Sequence, residues 1–347
     1  MRVLVIIIFL LLPSGFSHSR GDSDVLDYLF SSYQALDVKY RRPTLGIELE
    51  GVFPGKSREE AFQKIETIFL DQFSRFSPKL ERFTFFTRNT NQRREGSQFT
   101  LLKSGNTKWQ VKDDGSIIAP KGYVGVELVS PILRTANDVA KYKRLVEKYV
   151  EAGLKSEPNS AALQMHFGFP EDLPLDKNTV SNESKAKVLL LILIFSKIER
   201  QLMEIYKVTE GRKKYTVPTP IGAINEIKSG MILSDLNLHS FINKHYKYRY
   251  WALNPHSLFT FGTAEIRFMN STTDSVAVDE LSELANALWH SIQSKDSNLI
   301  SILKRFADTE EIPLELFARE MKLNKLIHKL KSGNNQCAQV LSGAQAS

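Results

Sequence analysis

Apolar and polar residues alternate through Gly46-Ile47-Glu48-Leu49-Glu50-Gly51, which predicts a strand with Ile47 and Leu49 on one face and Glu48 and Glu50 on the other. Taken alone, the stretch has the signature of an edge strand with its polar side in water. Three later stretches repeat the design: Gly125-Val126-Glu127-Leu128-Val129, Leu163-Gln164-Met165-His166-Phe167-Gly168 and Thr263-Ala264-Glu265-Ile266-Arg267-Phe268. If the four share one sheet, its apolar face can bury against helices. The other face then gathers Glu48, Glu50, Glu127, Gln164, His166, Glu265 and Arg267.

Helical periodicity supplies the cover. Residues 57–82 predict a helix capped by Ser57, with Glu59 and Glu60 in its first turn and Phe62, Ile65, Ile68, Phe69 and Phe73 along one side. Further helices are predicted over 23–36, from Thr135 or Asn137 to Gly153, over 183–208, 276–294 and 298–306, and from Leu314 to Lys331. The first half of the 183–208 segment is apolar on all sides, as a central buried helix would be. Lys108–Lys112 predicts a strand that runs into the turn Asp113-Asp114-Gly115-Ser116. Residues 248–268 predict two strands joined by a turn and carry Arg249, Asn254, His256, Glu265 and Arg267. Arg82 to Asn106 predicts a hairpin or loop whose Arg88, Arg93 and Arg94 suit either a solvated loop or an anion-binding flap over the site. Loops are also expected at 170–178 and 211–215. The fold class that results is α+β: one domain with a curved antiparallel sheet, carboxylates on its inner face and helices on its outer face.

Composition narrows the picture. The chain has 347 residues, 42% of them hydrophobic and 24% charged, which is enough apolar material for one large domain or two tightly joined ones. A formal net charge of +7 suits anionic partners, but the charge is spread along the chain. No basic run with interleaved aromatics occurs, so no nucleic-acid partner is expected. Cys337 is the single cysteine, which excludes an intramolecular disulfide and a cysteine-based zinc site. Residues 1–19 have the form of an export signal: Arg2, the apolar run Val3 to Leu12, then Pro13-Ser14-Gly15-Phe16-Ser17. The run is too short to cross a bilayer, and Val188 to Phe195, the longest later one, is shorter still. The expected product is therefore an exported protein, periplasmic or secreted, with no stable membrane span after cleavage. It would have a domain over 20–335 and a disordered polar tail over 336–347.

The chemistry of the inner face is the remaining signal. A merely solvated face would carry Thr, Ser and Lys more often. Four Glu, one His and one Arg suit a metal and phosphate site, because hard divalent cations take carboxylate oxygens and imidazole is a common further ligand.

Taken in order, Gly46-Ile47-Glu48-Leu49-Glu50, Asp113-Asp114-Gly115-Ser116 with Gly125 to Pro131, Gln164-Met165-His166-Phe167, Arg249 to Asn254 and Thr263 to Phe268 resemble the signature of the amidoligase family. That family belongs with the carboxylate–amine ligases related to glutamine synthetase and glutamate–cysteine ligase. The resemblance covers roughly residues 44–290 and implies a glutamine-synthetase-like curved antiparallel sheet. It implies ATP-dependent joining of a small-molecule or peptide carboxylate to an amine through an acyl phosphate, with Mg²⁺ or Mn²⁺ bridging the phosphates. Carried over by position, Glu48, Glu50, Glu127, His166, Gln164 and Glu265 are implied metal ligands. Arg267, Arg249 and Asn254 would hold the nucleotide or substrate carboxylate, and Arg267, Arg249 and Asp114 would serve catalysis. One position departs from the pattern: the family shows His-x-His where this chain has Gln164-Met165-His166, which implies a weaker metal or one held by the Gln164 oxygen. The usual Gly ahead of that motif is replaced by Ala161-Ala162. An exported protein meets little ATP, so an exported, catalytically altered binding module and a basic surface protein without chemistry stand beside the ligase.

Overall fold

The structure, a computed structural model, describes residues 43–74, 78–85, 97–104, 107–168, 175–248, 250–294, 297–307 and 309–332. The expected export signal, the 23–36 helix, Arg88, Arg93, Arg94, Arg249 and the tail with Cys337 lie outside the described residues.

Among the described residues eight strands form one antiparallel sheet: β1 (Thr44–Pro54), β2 (Lys79–Phe85), β3 (Ser97–Ser104), β4 (Thr107–Asp113), β5 (Tyr123–Val129), β6 (Ala162–Gly168), β7 (Leu253–Asn254) and β8 (Thr263–Asn270). Their order is β2-β3-β4-β5-β1-β6-β8-β7, which places β1 inside the sheet with β5 and β6 as neighbours. The edge-strand option for β1 is thereby excluded.

The helices are α1 (Arg58–Gln72), α2 (Ala136–Glu151), α3 (Asn182–Ser196), α4 (Glu199–Ile205), α5 (Glu210–Lys213), α6 (Ile221–Lys228), α7 (Leu238–His245), α8 (Leu258–Phe261), α9 (Ser275–Ser294), α10 (Ser297–Arg305) and α11 (Leu314–Glu320). Leu45, Ile47, Leu49 and Phe53 of β1 join one core with Phe62, Ile65 and Phe69 of α1, Tyr142 and Leu145 of α2, the α3 aliphatics and Leu281 and Leu288 of α9. Alternation along β1 thus commits one face to burial under helices and leaves the other to Glu48 and Glu50. Two caps fix where helices begin: Ser57 Oγ accepts from Glu60 N, and Thr135 with Asp138 closes a reciprocal capping box. Among the described residues no helix is long and apolar enough to cross a membrane.

Several expected elements differ, among them the 211–215 loop, whose first residues lie in α5, and the 314–331 helix, which is broken after Glu320 and resumes at 324. The 57–82 helix stops at Gln72, and Lys79–Phe85 is a strand, because Leu80 and its alternate neighbours pair with β3. Strands β2 and β3, paired antiparallel, agree with the hairpin option for 82–106. The 183–208 helix breaks after Ser196, where the buried Lys197 turns its ammonium to the carbonyl oxygens of Phe306 (2.8 Å), Ala307 (3.2 Å) and Thr309 (2.6 Å). Those carbonyls lie at and beyond the end of α10, where the chain has run out of intrahelical donors.

Candidate active site

Strand register assembles the site. Lys112 pairs with Glu127 and Glu127 with Glu50; Glu48 pairs with Gln164; His166 stands between Gly46 and Glu265, and Glu265 beside Asn254. Directly paired residues share a face, so one polar surface spans β4, β5, β1, β6, β8 and β7. Between Leu163 and Met165 the β6–β8 register shifts, so that Gln164 opposes both Arg267 and Phe268. Alternation from Glu265 already sets Arg267 on the polar face, and the bulge changes phase after it, so that Phe268 and Met269 are both buried.

A turn closes one end. A Cβ at Gly125 would lie 2.5 Å from the Asp114 carbonyl oxygen, so only glycine lets Asp113–Ile117 fold against β5. Ile117 then packs on Val52 and Ala161. The Asp114 carboxylate is turned into that loop, accepting from Ser116 N at 2.7 Å and Ser116 Oγ at 2.6 Å.

Each carboxylate on the face is engaged. Glu50 accepts from the Gln164 side-chain amide and from Ala162 N at 2.8 Å. Glu127 accepts from Lys112 Nζ at 2.6 Å. Glu265 accepts from Arg267 Nη1 at 2.8 Å and Asn254 Nδ2 at 2.7 Å. His166 Nε2 lies 3.3 Å from Glu48 Oε1, an ion-pair distance without an aligned hydrogen bond, and its Nδ1 is 3.1 Å from Thr263 Oγ1.

Burial and neighbouring charge drive these groups apart. Burial pushes Glu50 up to about 7, with Arg212 opposing and Asp114 and Glu127 adding to the rise. Burial and the charge of Glu48 also raise Glu127, against Lys112. Burial alone would raise Glu48, yet the contact and charge of His166, with Lys112 and Arg267 beyond, hold it well below the usual carboxylate range. Burial would lower His166, but Glu48 and Glu265 keep it above its ordinary value.

The donors suit a hard dication in kind and in adjacency, since oxygen ligands and one imidazole stand on neighbouring strands. Crowded buried carboxylates such as Glu50 and Glu127 are also what a cation would relieve. As placed, no three His, Cys, Asp or Glu side chains among the described residues converge enough to hold an ion. A cation entering here therefore competes with Lys112 and Arg267 for carboxylate oxygens.

The structure brings Glu48, Glu50, Glu127, Gln164, His166, Asn254, Glu265 and Arg267 together, with Asp114 at the margin. Lys112 and Arg212 belong to the site without having been expected there. Lys112 carries a legible signal, since the alternation over Lys108–Lys112 predicts a strand and Lys112 ends its polar face. Arg212 carries none, because its burial comes from tertiary packing of α5. Residues 41–289, which include every one of these positions, match a family model described as "Putative amidoligase enzyme". No curated protein matches the chain.

Proposed function

The chain belongs to the amidoligase family, a family of ligases, and on that premise we propose that it is an ATP- and divalent-metal-dependent enzyme joining a carboxylate to an amine. The observation that carries this reading is the single polar face on which Glu48, Glu127, Glu265 and His166 meet a buried arginine. The finer architecture that goes with it is the glutamine-synthetase-like curved sheet.

In the proposed reaction a substrate carboxylate oxygen attacks the γ-phosphorus of ATP and ADP leaves. The amine then attacks the acyl carbon, the carbon–oxygen bond to phosphate breaks, and the amine gives up a proton. Glu48, Glu127 and Glu265, with His166, Glu50 and the Gln164 oxygen, would hold Mg²⁺ or Mn²⁺. Such an ion neutralises phosphate charge when bound. Arg267, fixed by Glu265, orients an anionic group of nucleotide or substrate. Arg249 and Asn254 are proposed for the same role, and Asp114, whose carboxylate faces Ser116 as placed, is proposed to accept the proton.

One observation favours a second reading, an exported binding module of the same fold for carboxylate ligands. Gln164 stands where the family has histidine and spends its amide on Glu50, while other protein donors hold the remaining carboxylates. Export itself is proposed from the N-terminal segment, and an exported ligase would need ATP or another activated donor outside the cytosol. Calorimetric titration with Mg²⁺ or Mn²⁺ and a nucleotide separates the readings: the ligase binds nucleotide in a metal-dependent way, and the module binds carboxylates without either.

A further inference from the structure

Arg212 is 2% exposed, yet among the described residues no carboxylate lies within ion-pair distance of it. Among the described residues its guanidinium makes one hydrogen bond, from Nη2 to the Arg267 carbonyl oxygen at 3.4 Å, and its buried Nε has no partner. Arg267, 5% exposed, also has a buried Nε without a partner, although its Nη1 is held by Glu265. Buried cations are normally matched by acceptors, since an unpaired one costs several kcal/mol, roughly, even after relaxation. Two guanidinium groups left short of acceptors in one place are therefore not explained by the fold alone.

Their setting is built. The Arg212 guanidinium lies 5.8 Å from the Tyr215 ring centre and that of Arg267 lies 5.8 Å from Tyr250; the two tyrosines meet edge to face at 5.5 Å. Gly211 makes the placement possible: a Cβ there would lie 2.8 Å from the Asn159 carbonyl oxygen, so glycine lets α5 press against the turn before β6. Thr209 caps α5 and ties it to the same turn through Pro158 O at 2.8 Å. Charge agrees with geometry. Burial, together with the neighbouring Arg267, lowers Arg212 to about 10 even though Glu50 and Glu265 oppose the shift.

We propose that Arg212 and Arg267 form a two-armed oxyanion subsite, bounded by Tyr215 and Tyr250, for a phosphate or carboxylate group of a substrate. It deepens the ligase reading, on which its place in the reaction rests, by adding Arg212 as a binding residue. The forked donors of arginine suit either anion, and two forks can share the oxygens of one group.

The test is titration of the full chain with inorganic phosphate, and separately with succinate, in EDTA, comparing wild type with Arg212→Met and Arg212→Lys. Wild type should bind at least one anion. Arg212→Met should weaken that binding tenfold or more, and Arg212→Lys by an intermediate factor. Loss confined to phosphate assigns the subsite to the phosphoryl group; loss confined to succinate assigns it to the substrate carboxylate. Removing an unpaired buried charge should leave the ligand-free melting temperature equal or higher. The proposal is overturned if wild type binds neither anion, if Arg212→Met binds as wild type does, or if the variant melts several degrees lower with anion affinity per folded molecule unchanged. Because these titrations contain no metal, anion binding that needs Arg212 without metal-dependent nucleotide binding would sink the ligase reading and leave this one standing. The converse result would do the opposite.

Discussion

Gln164 and Glu50 are joined side chain to side chain across the β1–β6 ladder, with the amide nitrogen donating to Oε1 while Ala162 N donates to Oε2. The amide occupies the place where the family's first histidine would stand. Gln164→His should raise Mn²⁺ affinity severalfold, since imidazole is the better ligand for that ion. It should also cost about 1–3 kcal/mol of stability if Glu50 loses its donor. Calorimetry and urea denaturation read the two effects separately. Unchanged Mn²⁺ affinity would place Gln164 outside any metal shell and favour the binding-module reading.

Lys112 holds Glu127 and is the donor a cation must displace. Lys112→Met should therefore strengthen Mg²⁺ or Mn²⁺ binding, with the gain largest at low ionic strength, where charge competition is least screened. A variant that binds dication more weakly than wild type would show that Lys112 supports the metal site rather than opposing it.

The pH dependence of stability has a separate source in Glu199. This buried carboxyl accepts from Thr219 N at 2.6 Å and Thr219 Oγ1 at 2.8 Å, and burial pushes it from near 4.5 up to about 8. A raised acid favours the folded state while protonated, so its contribution is complete below about 4.5 and disappears as pH rises through about 8. Glu199→Gln should match wild type near pH 4.5 and exceed it at pH 8.5 by an amount on the order of a few kcal/mol. Identical pH slopes in urea denaturation would contradict the assignment.

Gly125 is a packing requirement rather than a flexible joint. Gly125→Ala should cost about 1–3 kcal/mol, since the new methyl group meets the Asp114 carbonyl and Ile117. The displaced turn should also lower ligand affinity if Asp114 serves the site. A melting temperature equal to wild type would show that the turn yields freely.

Much of this arrangement is legible in the chain. The alternation in β1, β5, β6 and β8 names the polar face because a strand has no other way to sort its side chains. Ser57 and Thr135 mark two helix starts by the chemistry of their caps. What local pattern does not carry is tertiary. Nothing near Lys197 shows that α3 will break where carbonyls beyond α10 take its ammonium. Apolar residues continue from α1 into β2 and carry the predicted helix past Gln72, although Pro78 is itself a stop signal in the chain. Arg212 sits in what reads as a basic loop, and its burial follows from the close approach of Gly211 to Asn159.

The central claim is that the polar face binds a divalent cation and, through it, a nucleotide. Glu48 is the residue with which to test it. Glu265→Ala would strand the buried Arg267, whereas the Glu48 side chain keeps 22% of its surface exposed and faces an imidazole that can lose its proton. The most direct measurement is calorimetric titration of Mn²⁺ with a non-hydrolysable ATP analogue into wild type and Glu48→Ala, with folding followed by circular dichroism. Wild type should bind the analogue only with metal, and Glu48→Ala should lose tenfold or more in metal affinity while remaining folded. Wild type that ignores the analogue in the presence of metal, or a Glu48→Ala protein that unfolds yet binds metal normally per folded molecule, would contradict the claim.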